Sequence, residues 1–167
     1  MRGRKVSATS DISGGIYVLF RLGDEEYGIG IEKVRSIIRY EEPTVVPRAP
    51  ASIQGVVNLR GKVIPVLDLT KRMQLGEFAP GPAARIVVAE GSGGMVGLAV
   101  DAASEVVTIP EEDIKPAPEG AVTADTEAMF AGVAEVGEKL VILLELDAAV
   151  PDSEYAQVGS DRVAGED

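Results

Sequence analysis

The stretch Gly55-Val-Val-Asn-Leu-Arg-Gly-Lys-Val-Ile-Pro-Val-Leu-Asp-Leu69 has a second, altered copy in the chain, Gly132-Val-Ala-Glu-Val-Gly-Glu-Lys-Leu-Val-Ile-Leu-Leu-Glu-Leu146. The two copies align without a gap, five of the fifteen positions are identical, and most of the others keep their apolar character. In each copy two apolar runs flank a short polar turn that contains glycine, which is the pattern of a β-hairpin. The repeat therefore predicts a chain built from two related, β-rich halves.

A second match supports the duplication. Tyr17–Ile38 and Arg85–Val107 share the order strand, glycine-containing turn, strand with an internal glycine, short turn and apolar pair, once one residue is inserted at the first turn. About five short strands per half are too many to leave as an open sheet with exposed edges, so we expect two small all-β barrels. The strand candidates are Ile16–Leu22, Tyr27–Ile31, Ile53–Leu59, Val63–Leu69, Arg85–Ala89, Met95–Val100, Ala131–Val136 and Leu140–Leu146.

Helical patterns are short, and the composition changes at both ends of the chain. Ile31, Val34 and Ile38 have a spacing that fits one or two helical turns, and Leu69–Leu75 fits another. We expect a disordered, Ser/Gly-rich leader over residues 1–15 and an acidic, mobile tail over 151–167. Between them lie a first barrel subdomain, 16–82, and a second, 83–150.

The composition excludes several functional classes. The chain of 167 residues contains no cysteine and no histidine, which removes disulfides, thiolate sites, the commonest general base and the commonest transition-metal ligand. The net charge of −11 and the aromatic content of 4% argue against nucleic-acid binding, which needs a basic surface and stacking rings. No apolar run approaches the ~20 residues of a membrane span. We expect a cytoplasmic protein without a cofactor.

Two motifs that could carry chemistry have simpler interpretations. Gly91-Ser92-Gly93-Gly94 is followed by a strand-like stretch rather than by the Lys-Ser/Thr and helix of a phosphate-binding loop, so it predicts a hairpin turn. Paired carboxylates could support a hydrolase, but they lie in predicted turns and are typical of solvated loops; they are Asp24–Glu26, Glu41–Glu42 and Glu111–Asp113. We therefore predict no catalytic residue and no metal site.

The turn Asn58-Leu59-Arg60-Gly61 is different, because it lies between two strongly apolar strands. A guanidinium on a rigid turn can bind a carboxylate of a partner through two hydrogen bonds. The alternative is an ordinary type I′ or II′ hairpin with an incidental arginine. The corresponding turn of the second half lacks arginine, which suggests that the first has been specialised.

Several stretches together match a known pattern that runs from about residue 16 to residue 147. They are Tyr17-Val-Leu-Phe-Arg-Leu-Gly-Asp-Glu-Glu-Tyr-Gly-Ile29, Val46-Pro-Arg-Ala-Pro50, Ile53-Gln-Gly-Val-Val-Asn-Leu-Arg-Gly-Lys-Val-Ile-Pro-Val-Leu-Asp-Leu69, Val96-Gly-Leu-Ala-Val-Asp101 and Ile114-Lys-Pro-Ala-Pro118. With these stretches the chain resembles the CheW family of chemotaxis coupling proteins. The resemblance implies two SH3-like five-stranded barrels packed together.

The resemblance also implies partners. It describes an adaptor, not an enzyme, that joins the cytoplasmic tip of a methyl-accepting chemoreceptor to the regulatory domain of a CheA-type histidine kinase. Such a protein is a monomer when free, alternates with the kinase in rings, and is recruited from the cytoplasm to receptor arrays at the membrane. By the same resemblance Ile31, Val34 and Ile37 would contact the kinase. The receptor-binding residues would be Gly55, Asn58, Arg60, Gly61 and Val106.

Two positions depart from the family pattern, and three alternatives stay open. Ser36 and Gly30 stand where the family often has acidic residues, so Arg60 lacks its usual internal partner. The same fold could serve a non-flagellar motility or developmental receptor–kinase pathway, or it could be a module of a larger protein. The alternative from another class is a carboxylate-dependent hydrolase, which would need a deep pocket with two facing carboxylates.

Overall fold

A computed structural model describes residues 14–116 and 128–150 of the chain, so the expected tail over 151–167 and all but the end of the expected leader lie outside the described residues. Two one-turn helices, α1 (Leu69–Arg72) and α2 (Leu146–Ala149), occur together with 3₁₀ turns at Ile31–Lys33 and Glu111–Asp113. The strands are β1 (Gly15–Leu22), β2 (Glu25–Gly30), β3 (Val34–Arg39), β4 (Ile53–Leu59), β5 (Lys62–Asp68), β6 (Arg85–Gly91), β7 (Gly94–Val100), β8 (Ala102–Ile109), β9 (Ile114–Lys115), β10 (Phe130–Val136) and β11 (Lys139–Leu144). No helix in the described ranges is long and apolar enough to cross a membrane.

The strands form two sheets. Sheet A has the order β8-β1-β2-β11-β10-β9, and sheet B has the order β3-β6-β7-β5-β4. Neighbours are antiparallel except for the pairs β2–β11 and β5–β7, which are parallel. Sheet B is thus built from consecutive strands, whereas sheet A combines β1 and β2 with the last four strands. The expected division into 16–82 and 83–150 does not coincide with the division into sheets, because the β1–β2 and β6–β7 hairpins each pair with strands of the other half.

Strand registers show how closely the halves correspond. Gly28 lies opposite Leu143 in the parallel pair of sheet A, and Gly97 lies opposite Val66 in that of sheet B, so the aligned glycines occupy matching positions. The bulge in β4 before Gly55 recurs in β10 before Gly132. The expected inserted residue is absent, since both hairpins close around two-residue turns, Gly23-Asp24 and Ser92-Gly93.

The buried side chains form three clusters, one inside each sheet and one between them. The interior of sheet A holds Leu19, Ile109, Ile114, Ala134, Val141 and Leu143. The interior of sheet B holds Val57, Ile64, Val66, Ile86, Val88 and Ala99. The cluster between them, the inter-sheet core, includes Val18, Phe20, Tyr27 and Ile29 from sheet A and Val87, Ala89, Val96 and Leu98 from sheet B. Because β6 and β7 are buried on both faces, their sequences are continuously apolar rather than alternating.

Polar contacts reinforce the inter-sheet core. The Arg72 guanidinium of α1 donates from Nε to the carbonyl oxygen of Ala149 at 2.8 Å and from Nη2 to that of Ala148 at 3.3 Å, so it caps the C-terminal end of α2. The Asp147 carboxylate of α2 accepts a hydrogen bond from the amide of Ser92 in the β6–β7 turn at 2.8 Å. Through these two contacts α2, which follows the last strand of sheet A, is attached to sheet B.

The SH3-like, all-β architecture expected from the sequence is confirmed, with two differences. Sheet A has six strands instead of five, because the two-residue β9 pairs with β10; its counterpart in sheet B is a single bridge between Thr44 and Val56. The helical spacing at Ile31–Ile38 is not a helix beyond its first three residues, since a 3₁₀ turn leads directly into β3.

Candidate protein-binding surface

The Arg60 turn is a two-residue hairpin loop between β4 and β5. The backbone φ angles of Arg60 (55°) and Gly61 (83°) are both positive, as a type I′ turn requires. The Asn58 side chain stabilises the loop, because its Oδ1 accepts a hydrogen bond from the Gly61 amide at 3.0 Å. The predicted tight turn is confirmed, and its geometry fixes where the Arg60 side chain begins.

Arg60 occupies a conformation that its counterpart in the second half reaches with glycine. The aligned residue is Gly137, with φ of 63°. A left-handed conformation is unfavourable for a residue with a Cβ, whereas glycine adopts it freely. Arg60 is exposed and forms no ion pair with any residue that the structure describes, so no internal contact accounts for the arginine at this position.

Gly55 has a structural role and offers no side chain to a partner. It is buried beside the bridge in which Thr44 and Val56 exchange two backbone hydrogen bonds of 2.8 Å. A Cβ at residue 55 would overlap the carbonyl oxygen of Thr44. The close approach of these two backbone segments therefore requires glycine, and Gly55 acts on any binding surface only through the path of β4.

Sheet A presents apolar side chains at the margin of the inter-sheet core. Val106 on β8 lies opposite the buried Val18 on β1, and Val18 lies opposite Ile29 on β2, so the three share one face. Ile16, two residues before Val18, extends this face toward Ile31. Val106, Ile16 and Ile31 remain 57%, 45% and 38% exposed. We call these three residues the sheet A margin.

Strand β3 forms the corresponding margin of sheet B. Ile37 lies opposite the buried Val87, and Val34 lies opposite the buried Ala89, so both point toward the inter-sheet core. Ile37 is 41% exposed, while Val34 is half-buried against that core. Because Val18 and Val87 occupy matching positions of the two halves, Ile37 and Val106 are counterparts. We call Val34 and Ile37 the sheet B margin.

The structure regroups the residues singled out from the sequence. Ile31 belongs to the sheet A margin with Val106, yet it lies only three residues before Val34, so it borders both margins. Asn58, Arg60 and Gly61 are together at the end of the β4–β5 hairpin of sheet B, whereas Val106 belongs to sheet A. Sequence reasoning missed Ile16, although the alternation of Ile16, Val18 and Phe20 along β1 was a usable signal.

The geometry disfavours the hydrolase alternative. The Gly91-Ser92-Gly93-Gly94 stretch is a hairpin turn, as predicted. Glu25 accepts a hydrogen bond from the Tyr27 hydroxyl at 2.8 Å, and this bond, after burial, raises the pKa of Tyr27. Within residues 14–116 and 128–150 no group of three or more acidic side chains is arranged to hold a metal ion.

One cavity of about 240 Å³ is lined by acidic groups and a phenol, and it lies where β1 begins and where β2 and β11 end. Its lining includes Tyr17, Glu32 and Glu145. Burial, and then the charges of Glu32 and Glu145, raise the pKa of Tyr17, so its hydroxyl is neutral at neutral pH. A neutral phenol beside two carboxyl groups supplies no activated nucleophile.

Comparison with known proteins identifies the family. A family model described as CheW-like domain matches residues 17–154. The chemotaxis protein CheW of Rhizobium meliloti (strain 1021) is 38% identical over 138 residues, which cover 82% of this chain and 88% of that protein. The chemotaxis protein CheW of Bacillus subtilis (strain 168) is 35% identical over 145 residues, 87% of this chain and 92% of that protein. The crystal structure of the scaffolding protein TtCheW from Thermoanaerobacter tengcongensis superposes with a TM-score of 0.74 at 36% identity, covering 82% of this chain and 88% of that one.

These likenesses extend over nearly all of the two-sheet fold. With a matching family model and relatives of this similarity, the chain belongs to the CheW-like domain family, whose members are non-catalytic scaffold proteins of chemotaxis signalling.

Proposed function

We propose that this protein couples the cytoplasmic tip of a chemoreceptor to the regulatory domain of a CheA-type histidine kinase. In this proposal the protein moves from the cytoplasm to receptor arrays and alternates with the kinase in rings there. The observation that carries the proposal is the continuity of its exposed apolar residues. Two margins, contributed by different sheets, flank one inter-sheet core and meet at Ile31.

The receptor contact is assigned to Val106 on the sheet A margin and to the Arg60 turn. A shallow apolar margin suits the apolar face of a helical hairpin, since such helices bind through side chains at i, i+3 and i+7. Asn58 and Gly61 hold the turn, so the backbone from which the Arg60 side chain extends toward a carboxylate is already fixed, and less ordering entropy is lost when the bond forms.

The kinase contact is assigned to Ile31, Val34 and Ile37. Ile31 then adjoins both partners, because it follows the last β1–β2 register pair, Tyr17–Gly30, and begins the 3₁₀ turn that leads into β3. A kinase docked along β3 would therefore lie against the receptor helix. Direct contact of both partners with one rigid inter-sheet core allows a shift of the receptor to bias the kinase without chemistry in the adaptor.

The test is a binding assay with the full chain, a receptor cytoplasmic fragment and the kinase regulatory domain. Val106→Glu and Arg60→Glu are expected to weaken receptor binding by about tenfold or more, Ile37→Glu to weaken kinase binding similarly, and Ile31→Glu to weaken both. Val45→Glu is the matched control, because Val45 is 75% exposed and lies outside both margins.

Circular dichroism must show that each variant is folded. A folded wild-type chain that binds neither partner would refute the proposal. If Val45→Glu weakened binding as much as Val106→Glu and Ile37→Glu, charge alone would explain the losses and the assignment of surfaces would fail.

A further inference from the structure

Two arginines lie directly opposite each other at the end of the β3–β6 pair. Arg39 on β3 is the register partner of Arg85 on β6, so their Cα atoms are about 5 Å apart. Like charges in this arrangement repel each other and destabilise a sheet. The pair is unexpected in a chain with 27 acidic and 16 basic residues, where a carboxylate opposite Arg85 would be the stabilising choice.

Neither arginine of the pair is neutralised by a carboxylate of the described chain. Arg85 donates from Nη1 to the carbonyl oxygens of Pro82 and Ala84, which carry no charge. The salt bridges of the described ranges do not include Arg39 or Arg85, although Glu41 and Glu42 follow Arg39 closely in sequence. By contrast, Arg35 on the same strand is neutralised by Glu90, with Nε and Oε1 3.0 Å apart.

The arginine pair belongs to the same face as Ile37. Side chains two residues apart on a strand share a face, so Arg39 lies beside Ile37, and Arg85 lies beside the buried Val87. We call Ile37, Arg39 and Arg85 the arginine face. It combines one exposed apolar side chain with two cations for which residues 14–116 and 128–150 provide no counter-charge.

The counterpart of this face on sheet A carries no charge. There Val106 corresponds to Ile37, and the register pair Ile16–Thr108 occupies the place of Arg85–Arg39. The two margins of the duplicated fold have therefore diverged, one toward uncharged and the other toward cationic chemistry. Surfaces that differ in this way select different partners, because charge complementarity determines which surfaces can approach.

We infer that the arginine face binds a carboxylate-bearing patch on the kinase, with an apolar side chain of the kinase seated against Ile37. The inference rests on the proposed function and adds the chemistry of the partner surface. A protein is favoured over phosphate polyanions because the net charge of −11 repels a nucleic acid or an anionic bilayer, whereas a protein surface can present one or two carboxylates beside an apolar group.

The experiment measures binding of the full chain to the purified kinase regulatory domain at ~50 and ~300 mM NaCl. Arg39→Gln is expected to weaken binding about tenfold at low salt and to reduce its salt dependence. The same substitution should raise the melting temperature by about a degree, since it removes the repulsion within the pair. Lys71→Gln is the control, because Lys71 is an exposed cation on α1, outside the arginine face, and its loss changes the net charge equally.

Weaker kinase binding together with a higher melting temperature in Arg39→Gln would distinguish a binding role of the arginine from a structural one. Equal affinities of wild type, Arg39→Gln and Lys71→Gln for the kinase domain would overturn this inference while leaving the proposed function standing. Binding of the wild type to phosphatidylserine vesicles that is lost in Arg39→Gln would also overturn it, in favour of a lipid surface. Failure of the folded wild type to bind either the kinase domain or the receptor fragment would instead refute the proposed function itself.

Discussion

Replacing Arg60 with glycine should stabilise the fold and weaken receptor binding. The φ of +55° costs a residue with a Cβ about 1–2 kcal/mol, and glycine is free of this cost. Glycine also has more conformational freedom than arginine in the unfolded chain, which offsets about 0.4–1 kcal/mol of this stabilisation. The expected net gain is about 0.5–1 kcal/mol in the free energy of unfolding, or roughly 2 °C in melting temperature.

Thermal and urea denaturation followed by circular dichroism measure the stability, and titration with a receptor cytoplasmic fragment measures the binding. Gly137→Ala is the reciprocal control at the matching turn, where φ is 63° and a Cβ should cost about 1 kcal/mol. A loss of stability in Arg60→Gly would show that the guanidinium contributes to the fold itself. The reasoning that the arginine is kept for an external partner would then be refuted.

Three further predictions concern the fold. Gly55→Ala should destabilise the protein by about 3 kcal/mol, because the new Cβ forces the backbone bridge between Thr44 and Val56 apart. Urea denaturation measures this loss in the free energy of unfolding, and an almost unchanged value would mean that β4 can shift. Arg72→Ala should cost about 1–3 kcal/mol by removing the cap of α2, and hydrogen exchange should rise at the α2 amides; unchanged exchange would contradict the capping role. Stability should fall above pH 10.0, where phenols of the unfolded chain ionise while burial and the bond to Glu25 keep Tyr27 protonated in the folded state. Tyr27→Phe should make that fall shallower in urea titrations, and an equally steep fall would assign it to other groups.

The hairpins of the repeat could be predicted from the sequence because their pairing is local. β4–β5 and β10–β11 are closed by short turns, so the apolar runs and the polar turn residues suffice to define them. The sequence could not predict which strand pairs with β2 in parallel. Its partner β11 lies near the other end of the chain, and the parallel alternative within the first half presents equally apolar strands.

The helical spacing of Val34 and Ile37 was misleading for a physical reason. A β-bulge between Val34 and Ser36 adds one residue, so side chains three apart point to the same face of β3. This spacing matches the i, i+3 period of a helix, although the segment is a strand. A matching bulge lies in β8, where Glu105 is opposite Leu19 but Ala103 is opposite Phe20, so the alternation along β8 is broken just before Val106. Val106 could therefore be named only by family resemblance.

The turn chemistry of the candidate site was accessible from the sequence, but the surroundings were not. Asn58 and Gly61 indicated a tight turn, and the backbone angles agree. The sequence could not reveal that Ile16 and Ile31 flank the Tyr17–Gly30 pair, or that Arg39 faces Arg85, because both facts depend on strand register. Register is set by the whole sheet and by its bulges rather than by any single segment.

The construction of sheet A from the first two and the last four strands has a consequence for biosynthesis. Sheet B can assemble as soon as residues 34–100 have left the ribosome, but β2 must wait for β11 before its free edge is covered. At about 5–20 residues per second, the β1–β2 hairpin is held for on the order of ten seconds with apolar side chains such as Leu19 and Val18 unprotected. During translation the nascent chain is therefore most vulnerable to aggregation at its N-terminal hairpin, and the order of synthesis favours completion of the barrel that bears the Arg60 turn before the one that bears Val106.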